Sequence, residues 1–440
     1  MTSSRSERVP FALGAYFTGS AVNGDAWRAP EEDIDADLEF SRYRSYIATL
    51  EKGRFDAVFF YDNVLPVPDP AAVARTPSLS RWDTFTLLAA LAVTSSYIGL
   101  IGTASTTFNE PYNLARRVAS LDRLSGGRAG WNVVTATGGG ENFNLLSHVD
   151  HALRYERAHE FVDVVKGLWN SLEPEAFIRD RESGVWLDPA RVHPLNHVGK
   201  FFRVAGPLNA PPPIQRLPVL AQAGASGAGK ELAARIGEVI YTAEYDIKAG
   251  QTYRADILDR AIRYGRDDRH IRILPGLAPI VGRTESEARE KFERYLSYLD
   301  KAEVLNAISS YSSLGIDLAR WPETLPIELG EVSETNSHKS RQSLIVDWIR
   351  KTRPTVNDVL RTFTRGGHRI LVGTPSSIVD EMEEWYYSGA ADGFNIMFTS
   401  SPSGVHDFVE LVAPELQRRR LTRATYESRN LRENLRIPST

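Results

Sequence analysis

The sequence predicts an α/β protein folded as a (β/α)8 TIM barrel. Eight short apolar runs rich in β-branched and aromatic residues recur along the 440 residues, and amphipathic helical patterns separate them. Near-continuous apolar runs are typical of parallel strands buried on both faces, and their alternation with helices favours a closed barrel. The alternative is a doubly wound sheet with a second domain. The predicted strands are residues 9–17, 55–61, 97–103, 129–135, 217–222, 238–242, 271–281 and 393–398.

The helices between these strands are predicted from apolar residues spaced by three or four positions. One such stripe precedes the fourth strand, a second follows it, and a third precedes the eighth. The third begins with Thr374 and Pro375, which is typical of an N-cap followed by proline in the first turn. The stripes consist of Leu114, Val118, Leu121 and Leu124; of Phe161, Val165, Leu168 and Leu172; and of Ile378, Met382 and Trp385.

Two long segments and a basic tail interrupt this alternation. We expect one barrel domain over residues 1–440, with insertions at 179–216 and 299–367, after strands four and seven. Insertions of this length exceed ordinary connections, and in barrel enzymes they commonly roof the active-site face; peripheral decoration is the alternative. The C-terminal extension, 418–440, contains seven arginines, and we expect it to be solvated or to dock at an interface.

Composition and charge exclude several classes of function. The chain has 52 Lys and Arg against 56 Asp and Glu, a net charge of −4, whereas bulk binding to nucleic-acid phosphates needs clustered cations. It has no cysteine, which excludes disulfides, iron–sulfur clusters and thiolate zinc sites. No apolar stretch reaches the roughly 18 residues of a membrane span. We therefore expect a soluble, cytoplasmic protein with no nucleic-acid or membrane partner.

The carboxyl ends of barrel strands carry the chemistry of this fold, and the fifth predicted strand ends in small residues. Residues 222–227 are Gln-Ala-Gly-Ala-Ser-Gly, ahead of a predicted helix. Small residues let backbone N–H groups approach an anion at a helix N-terminus, and Ser226 adds a hydroxyl. A tight strand–helix turn explains the same residues equally well. The run is not a P-loop, because Lys230 is followed by Glu231 where that motif requires Ser or Thr.

Histidine and tyrosine residues cluster at the start of the helix after the fourth strand. His151 and Tyr155 are four positions apart, so they would share one face of that helix. Three interpretations stay open: a polar contact to an anion, solvated histidines, or a metal site that includes His148 and His159. No H-E-x-x-H pattern supports a metal, so we expect none, and no G-x-S-x-G elbow or thiol nucleophile occurs.

Two adjacent motifs resemble a known family. Residues 121–128, Leu-Asp-Arg-Leu-Ser-Gly-Gly-Arg, and 130–135, Gly-Trp-Asn-Val-Val-Thr, are similar to the signature of flavin-dependent monooxygenases of the bacterial-luciferase superfamily. The nearer branch holds the nitrilotriacetate, EDTA and dibenzothiophene-sulfone monooxygenases. The resemblance extends over the chain from about residue 10 to 435. Further similar stretches within it are residues 55–60, 154–158, 199–202, 206–209, 218–226 and 389–395.

The resemblance implies a two-component enzyme. Such an enzyme takes reduced FMN as a diffusible cosubstrate from a separate NAD(P)H-dependent flavin reductase, and it uses O2 to oxygenate a small organic molecule. The implied substrate is an aminopolycarboxylate or an organosulfur compound, and the implied assembly is a homo-oligomer, a dimer or a tetramer. A deazaflavin-dependent relative and a flavin-binding barrel without turnover are the alternatives. The residues that the resemblance assigns to the flavin are Asp62, Thr106, Asn132, His151, Tyr155, Ala225 and Ser226.

The sequence departs from the family pattern at positions where we expect the substrate to bind. The resemblance therefore says least about which substrate this chain uses. The loop at 137–141, Thr-Gly-Gly-Gly-Glu, is unusually rich in glycine. Carboxylates in the substrate would favour arginines such as Arg28 and Arg81, whereas an apolar sulfur compound would favour aromatic residues such as Trp82 and Phe108. No acid–base residue is assigned, because the protein's part in flavin chemistry is binding, orientation and exclusion of water. The residues expected to face substrate are Trp27, Asn63 and Asp83.

Overall fold

The computed structural model describes residues 10–17, 26–67, 74, 79–145, 149–224, 226–333, 339–364 and 366–438. Within these ranges, one sheet contains nine strands and a separate hairpin contains two. The strands are β1 (Ala12–Phe17), β2 (Ala57–Phe60), β3 (Gly99–Ser105), β4 (Ala129–Val134), β5 (His197–Val198), β6 (Arg203–Val204), β7 (Val219–Gln222), β8 (Val239–Thr242), β9 (Arg272–Val281), β10 (Arg369–Gly373) and β11 (Gly393–Met397).

Eight of these strands close the predicted barrel. Neighbours follow the order β1, β2, β3, β4, β7, β8, β9, β11 and back to β1, and every pair is parallel. β9 completes the circle because its first residues pair with β8, while Gly276 and Leu277 at its centre pair with β11. The (β/α)8 barrel is therefore confirmed, and each predicted strand corresponds to one of its eight strands.

Two short elements were not predicted. β10 pairs with the last five residues of β9, outside the barrel, and only two of its own five residues are buried. The β5–β6 hairpin has two residues in each strand and none of them is buried. The β5–β6 strands present no continuous apolar run, because neither of their faces is enclosed. β10 does contain a short apolar run, Ile370 to Val372, which the sequence analysis did not identify as a strand.

Helices cover the outside of the barrel and extend into the long insertion. Local sequence sets their ends: α3 starts with Pro111 in its first turn and stops at Gly126, whose φ is +73°. The helices are α1 (Phe40–Lys52), α2 (Thr84–Ala92), α3 (Pro111–Ser125), α4 (His151–Trp169), α5 (Gly227–Ile236), α6 (Ile247–Ile262), α7 (Glu285–Tyr298), α8 (Lys301–Ser312), α9 (Lys339–Thr352), α10 (Val356–Thr362), α11 (Pro375–Tyr387), α12 (Ser403–Asp407), α13 (Ala413–Arg418) and α14 (Leu431–Asn434).

The C-terminal extension docks on its own barrel. Leu431, Leu435 and Ile437 belong to the same buried cluster as the inward-facing strand residues, such as Phe59 and Tyr241. Polar contacts hold the extension at the amino ends of the strands, which is the end opposite the expected active site. This part of the extension is therefore docked rather than solvated, and it docks on the chain's own barrel, because apolar residues between its arginines fill the base of the barrel.

The insertion after β9 packs on the carboxyl end of the barrel. A second buried cluster joins Ala278 and Ile280 of β9 and Met397 of β11 to residues of α8, α9 and α10. Trp348 of α9 meets Phe363 edge-on, with ring centroids 4.8 Å apart. Within the described residues, no helix is both long and apolar enough to cross a membrane.

Candidate active site

The start of α5 brings together two of the predicted site residues. Ser226 caps the helix, and its Oγ accepts a hydrogen bond from the Gly229 N–H at 3.1 Å. The Tyr155 hydroxyl lies beside the same turn, because a Cβ added to Gly224 or Gly229 would be 3.2 or 3.1 Å from it. The first N–H groups of a helix have no partner within the helix and carry partial positive charge. This corner can therefore hold an anion between N–H groups and two hydroxyls.

His151 lies next to Tyr155, as their spacing predicted. Both are on α4, and their ring centroids are 4.8 Å apart. Asp150 caps this helix and accepts from the N–H groups of Ala152 and Leu153. Ala225 and His148, which the sequence analysis also named, lie outside the described residues. In the part of the chain that the structure describes, no three His, Asp or Glu side chains come together as a metal site would require.

Asn132 is on the inner face of β4, where a chain of hydrogen bonds orients it. The Thr103 hydroxyl donates to the Phe60 carbonyl at 2.8 Å, and Asn132 Nδ2 donates to that hydroxyl oxygen at 3.0 Å. The Asn132 side chain is buried, and its Oδ1 has no hydrogen-bond partner among the described residues. Buried polar atoms are normally paired, so this oxygen indicates room for a donor from a ligand or from water.

Two residues that sequence reasoning did not assign share this inner face. Asn395 of β11 is buried and its Oδ1 has no partner in the described chain; a Cβ on Gly14 would lie 3.1 Å from that oxygen. The Tyr241 ring stacks on Phe59 at 4.4 Å, and its buried hydroxyl likewise has no partner there. Burial raises the pKa of Tyr241, which keeps that hydroxyl protonated. A polar residue within an otherwise apolar strand was the available sequence signal for Asn395.

The ends of β2 and β3 carry the other residues assigned to the flavin. Asp62 follows β2 and is partly buried near Thr84 and Asp83; burial raises its pKa. Thr106 follows β3 and is fully buried, with its hydroxyl directed at the Val134 carbonyl at 3.3 Å. Its side chain therefore ties the end of β3 to the end of β4.

The residues expected to face substrate differ in their exposure and in their hydrogen bonds. Trp27 is 42% exposed. Asn63 is exposed, and its Nδ2 donates to the Tyr61 hydroxyl at 3.2 Å. Asp83 caps α2 and accepts from the Thr86 N–H at 2.8 Å, which explains its residue type without a ligand.

The two candidate arginines also differ. The Arg28 guanidinium donates to the Tyr298 carbonyl at 2.8 Å, so part of its hydrogen-bonding capacity is used within the fold. The Arg81 guanidinium lies over the Tyr61 ring, 5.3 Å from its centroid. Its Nε and Nη1 are buried without a hydrogen-bond partner in the described chain. Arg81 is therefore the better placed of the two to bind an acceptor.

The loops after β2 and β4 meet at the same end of the barrel. Asn142 Nδ2 donates to the Val64 carbonyl at 2.9 Å, which joins the two loops. Phe143 stacks on Phe108, with centroids 4.5 Å apart and planes within 7°. Leu65 is also exposed, and its side chain lies beside Gly138 in the loop after β4. The rim of the candidate site therefore carries apolar surface next to the polar groups below.

Comparisons with known proteins identify the family of this chain. Residues 23–392 match the model of the luciferase-like monooxygenase family. The chain is 39% identical to the N-acetyl-S-(2-succino)cysteine monooxygenase of Bacillus subtilis (strain 168), over 98% of this chain and 97% of that protein. It is also 39% identical to nitrilotriacetate monooxygenase component A of Aminobacter aminovorans, over 96% and 95%.

A solved structure adds to these relatives. A riboflavin lyase crystallised with modified FMN and riboflavin superimposes with a TM-score of 0.86 at 29% identity, over 98% of this chain and 97% of that one. The resemblance seen in the sequence motifs is therefore confirmed, including the branch that holds nitrilotriacetate monooxygenase. The chain belongs to the luciferase-like monooxygenase family and is an enzyme of its flavin-dependent type.

Proposed function

We propose that this chain is the oxygenase of a two-component system. It would take reduced FMN from a separate NAD(P)H-dependent flavin reductase and use O2 to oxygenate a small organic substrate. The observation that carries the proposal is the meeting of Ser226 and Tyr155 at the N-terminus of α5, a corner suited to a phosphate. The name of one relative supports the existence of a partner protein, because that relative is component A of nitrilotriacetate monooxygenase.

The described residues fit an FMN molecule at both of its ends. Ser226, Tyr155 and the first N–H groups of α5 would hold the phosphate, with His151 beside them. Lys230 would not, because its Nζ pairs with Asp256 Oδ2 at 2.9 Å. The unpaired buried Oδ1 of Asn132 would meet a polar group of the ring.

Reduced FMN, when bound, would supply the electrons that activate O2 for transfer of one oxygen atom to the substrate. The chain's own residues would bind, orient and keep water away. Phe59 and Tyr241 stack below the site and fill the barrel interior. The insertion after β9 covers one side of its carboxyl end, through contacts of Ala278, Ile280 and Met397.

For the substrate, we propose a small molecule that carries a carboxylate. Arg81 supports this class, because two of its buried nitrogens have no hydrogen-bond partner in the described chain. A guanidinium binds a carboxylate through charge-assisted hydrogen bonds. The apolar rim of Phe108 and Phe143 would suit a thioether or hydrocarbon part of the same molecule. The relative named for N-acetyl-S-(2-succino)cysteine acts on a compound with both features.

The proposal is tested first by binding and then by turnover. Anaerobic titration with reduced FMN should give saturable binding, and Tyr155→Phe should weaken it by roughly threefold to tenfold while the melting temperature stays the same. Adding a flavin reductase, NADH and candidate substrates should then consume O2 and release oxygenated product. No binding of reduced FMN by the folded protein would contradict the proposal. Light scattering on the same samples tests the predicted homo-oligomer.

A further inference from the structure

The chain between α4 and the β5–β6 hairpin forms an arm, residues 171–193, which its own hydrogen bonds hold in shape. The two legs of the arm run antiparallel. Near its foot, the Glu173 N–H donates to the Arg191 carbonyl at 3.2 Å, and near its tip the Arg179 N–H donates to the Trp186 carbonyl at 3.0 Å. The arm therefore presents a defined surface rather than a loose loop.

The arm adds almost nothing to the core of its own barrel. Between residues 174 and 191, Ala176 is the one buried residue, and all the others are exposed or half-exposed. Ordering a backbone costs conformational entropy, and a hairpin with two legs is only marginally stable by itself in water. A segment with so little burial within its own chain is suited to burial against another protein.

Large apolar side chains are exposed together at the tip of the arm. Trp186 is 62% exposed, Ile178 49% and Val185 41%. Phe177, on the opposite leg, meets the Trp186 ring edge-on, with centroids 6.3 Å apart, which fixes the side of the arm on which the indole lies. Exposed apolar groups with a polar rim are typical of protein–protein contacts, and tryptophan is enriched among the residues that dominate binding energy.

The charges around this apolar tip are complementary to themselves. Arg179 and Arg181 alternate along the chain with Asp180 and Glu182. Neither arginine, nor Glu182, forms an ion pair with the residues that the structure describes. A partner of one strong charge sign would require a tip of the opposite sign. A two-fold contact instead sets a patch against its own copy, so that an arginine of one chain can face a carboxylate of the other.

We propose that the arm is a contact surface between two copies of this chain, with its apolar tip buried near a two-fold axis. A stable interface uses about 20–30 residues on each side, and the exposed residues of the arm alone approach that number. This inference goes beyond the proposed function, because it assigns the surface for self-association and does not depend on flavin.

The first test measures the Kd of the dimer by sedimentation velocity over a dilution series. Trp186→Ala removes the proposed anchor and should raise that Kd by roughly tenfold or more. Ile178→Glu places a carboxylate in the apolar contact and should raise it at least as much. Ile262→Glu is the matched control, because Ile262 is 67% exposed at the end of α6, on another element. It should leave the Kd unchanged, and all three variants should keep the circular dichroism of the wild type.

The second test exchanges charges at the tip. Arg181→Glu and Glu182→Arg each bring like charges together across the two-fold axis, so each should raise the Kd severalfold. The double variant restores alternating charges and should recover most of the wild-type affinity. Recovery of this kind separates charge complementarity from damage to the tip, and its absence would contradict the two-fold contact.

The outcomes also separate this inference from the proposed function. A wild-type chain that stays monomeric at every concentration overturns the inference. So does an oligomer whose Kd is the same in Trp186→Ala and Ile178→Glu, because the copies would then meet through another face. Titration of the same samples with reduced FMN tests the proposed function independently, since neither variant alters a residue of the proposed flavin site.

Discussion

Gly139 lies directly against the main chain of Val64. A Cβ at position 139 would be 2.8 Å from the Val64 carbonyl oxygen, and the φ of Gly139 is +95°. The neighbouring Asn142 donates to that same carbonyl. The glycine-rich segment after β4 therefore lets this loop lie directly against the loop after β2. This contact gives a physical reason for a segment in which the sequence departs from the family pattern.

Substituting Gly139 by alanine should open this contact. The added methyl group cannot fit without moving the loop, and the positive φ adds roughly 1–2 kcal/mol of strain. We expect a severalfold increase in hydrogen peroxide relative to oxygenated product, because water would reach the site. Gly184→Ala is the matched control: its φ is +73°, but no atom lies within 4 Å of its Cβ position. An equal rise in peroxide for both variants would mean that the loop contact has no part in shielding.

Replacing Ser226 by glutamate should remove the phosphate site. The variant loses a hydroxyl donor and places like charge beside the phosphate, so affinity for FMN should fall by roughly tenfold or more. Thr374→Glu is the control, because Thr374 caps α11 in the same way, through the Ser377 N–H. Both variants should lose about 1 kcal/mol of stability in urea, but only the first should lose affinity for FMN. Unchanged affinity in Ser226→Glu would remove this corner from the proposed site.

The buried ion pair between Arg432 and Glu238 should dominate the stability of the C-terminal extension. The Arg432 Nη1 to Glu238 Oε1 distance is 2.5 Å, and both side chains are buried. Arg432→Met leaves a buried carboxylate without its cation, so the free energy of unfolding should fall by about 3–5 kcal/mol. The double variant with Glu238→Gln should recover part of that loss.

A surface pair provides the comparison for this prediction. Arg353 and Glu328 are 3.2 Å apart, with most of each side chain exposed. Arg353→Met should therefore change the unfolding free energy by less than about 1 kcal/mol. Urea denaturation measures both values. Similar losses for Arg432→Met and Arg353→Met would show that the extension contributes little to the fold.

The strands of the barrel could be predicted from sequence because they are buried on both faces. Each therefore shows as a run of apolar residues, even where, as at Asn132, one polar side chain points inward. β10 was missed although it contains the apolar run Ile370 to Val372; it is only partly buried and lies outside the barrel. The start of α9 carries no helical signal in the sequence, because residues 339–343 are all polar. The apolar face of that helix begins only with the residues that follow.

The candidate site was less accessible to sequence reasoning. Ser226 and Tyr155 are 71 positions apart in the sequence, and only the fold brings the tyrosine to the start of α5. Asn395 was inside a recognised motif, yet its role depends on which way its strand faces. The hydrogen-bond chain through Thr103 depends on register between neighbouring strands. Residue type suggests such groups, but tertiary geometry decides whether their polar atoms remain unpaired.

Acid should weaken the attachment of α5, the helix that Ser226 caps. Glu231 on this helix accepts from the Tyr264 hydroxyl at 2.6 Å and pairs with Arg260 and Arg263, which lowers its pKa from 4.5 to about 2. A lowered pKa means that this stability is fully present above pH 4.5 and is lost as the pH falls towards 2. Because the group is partly exposed, we expect Glu231→Gln to remove only about 1 kcal/mol at pH 7. Urea denaturation from pH 7 to 2 should give a shallower dependence in Glu231→Gln, and an intermediate one in Tyr264→Phe. Parallel curves for wild type and Glu231→Gln would show that these contacts do not stabilise the helix.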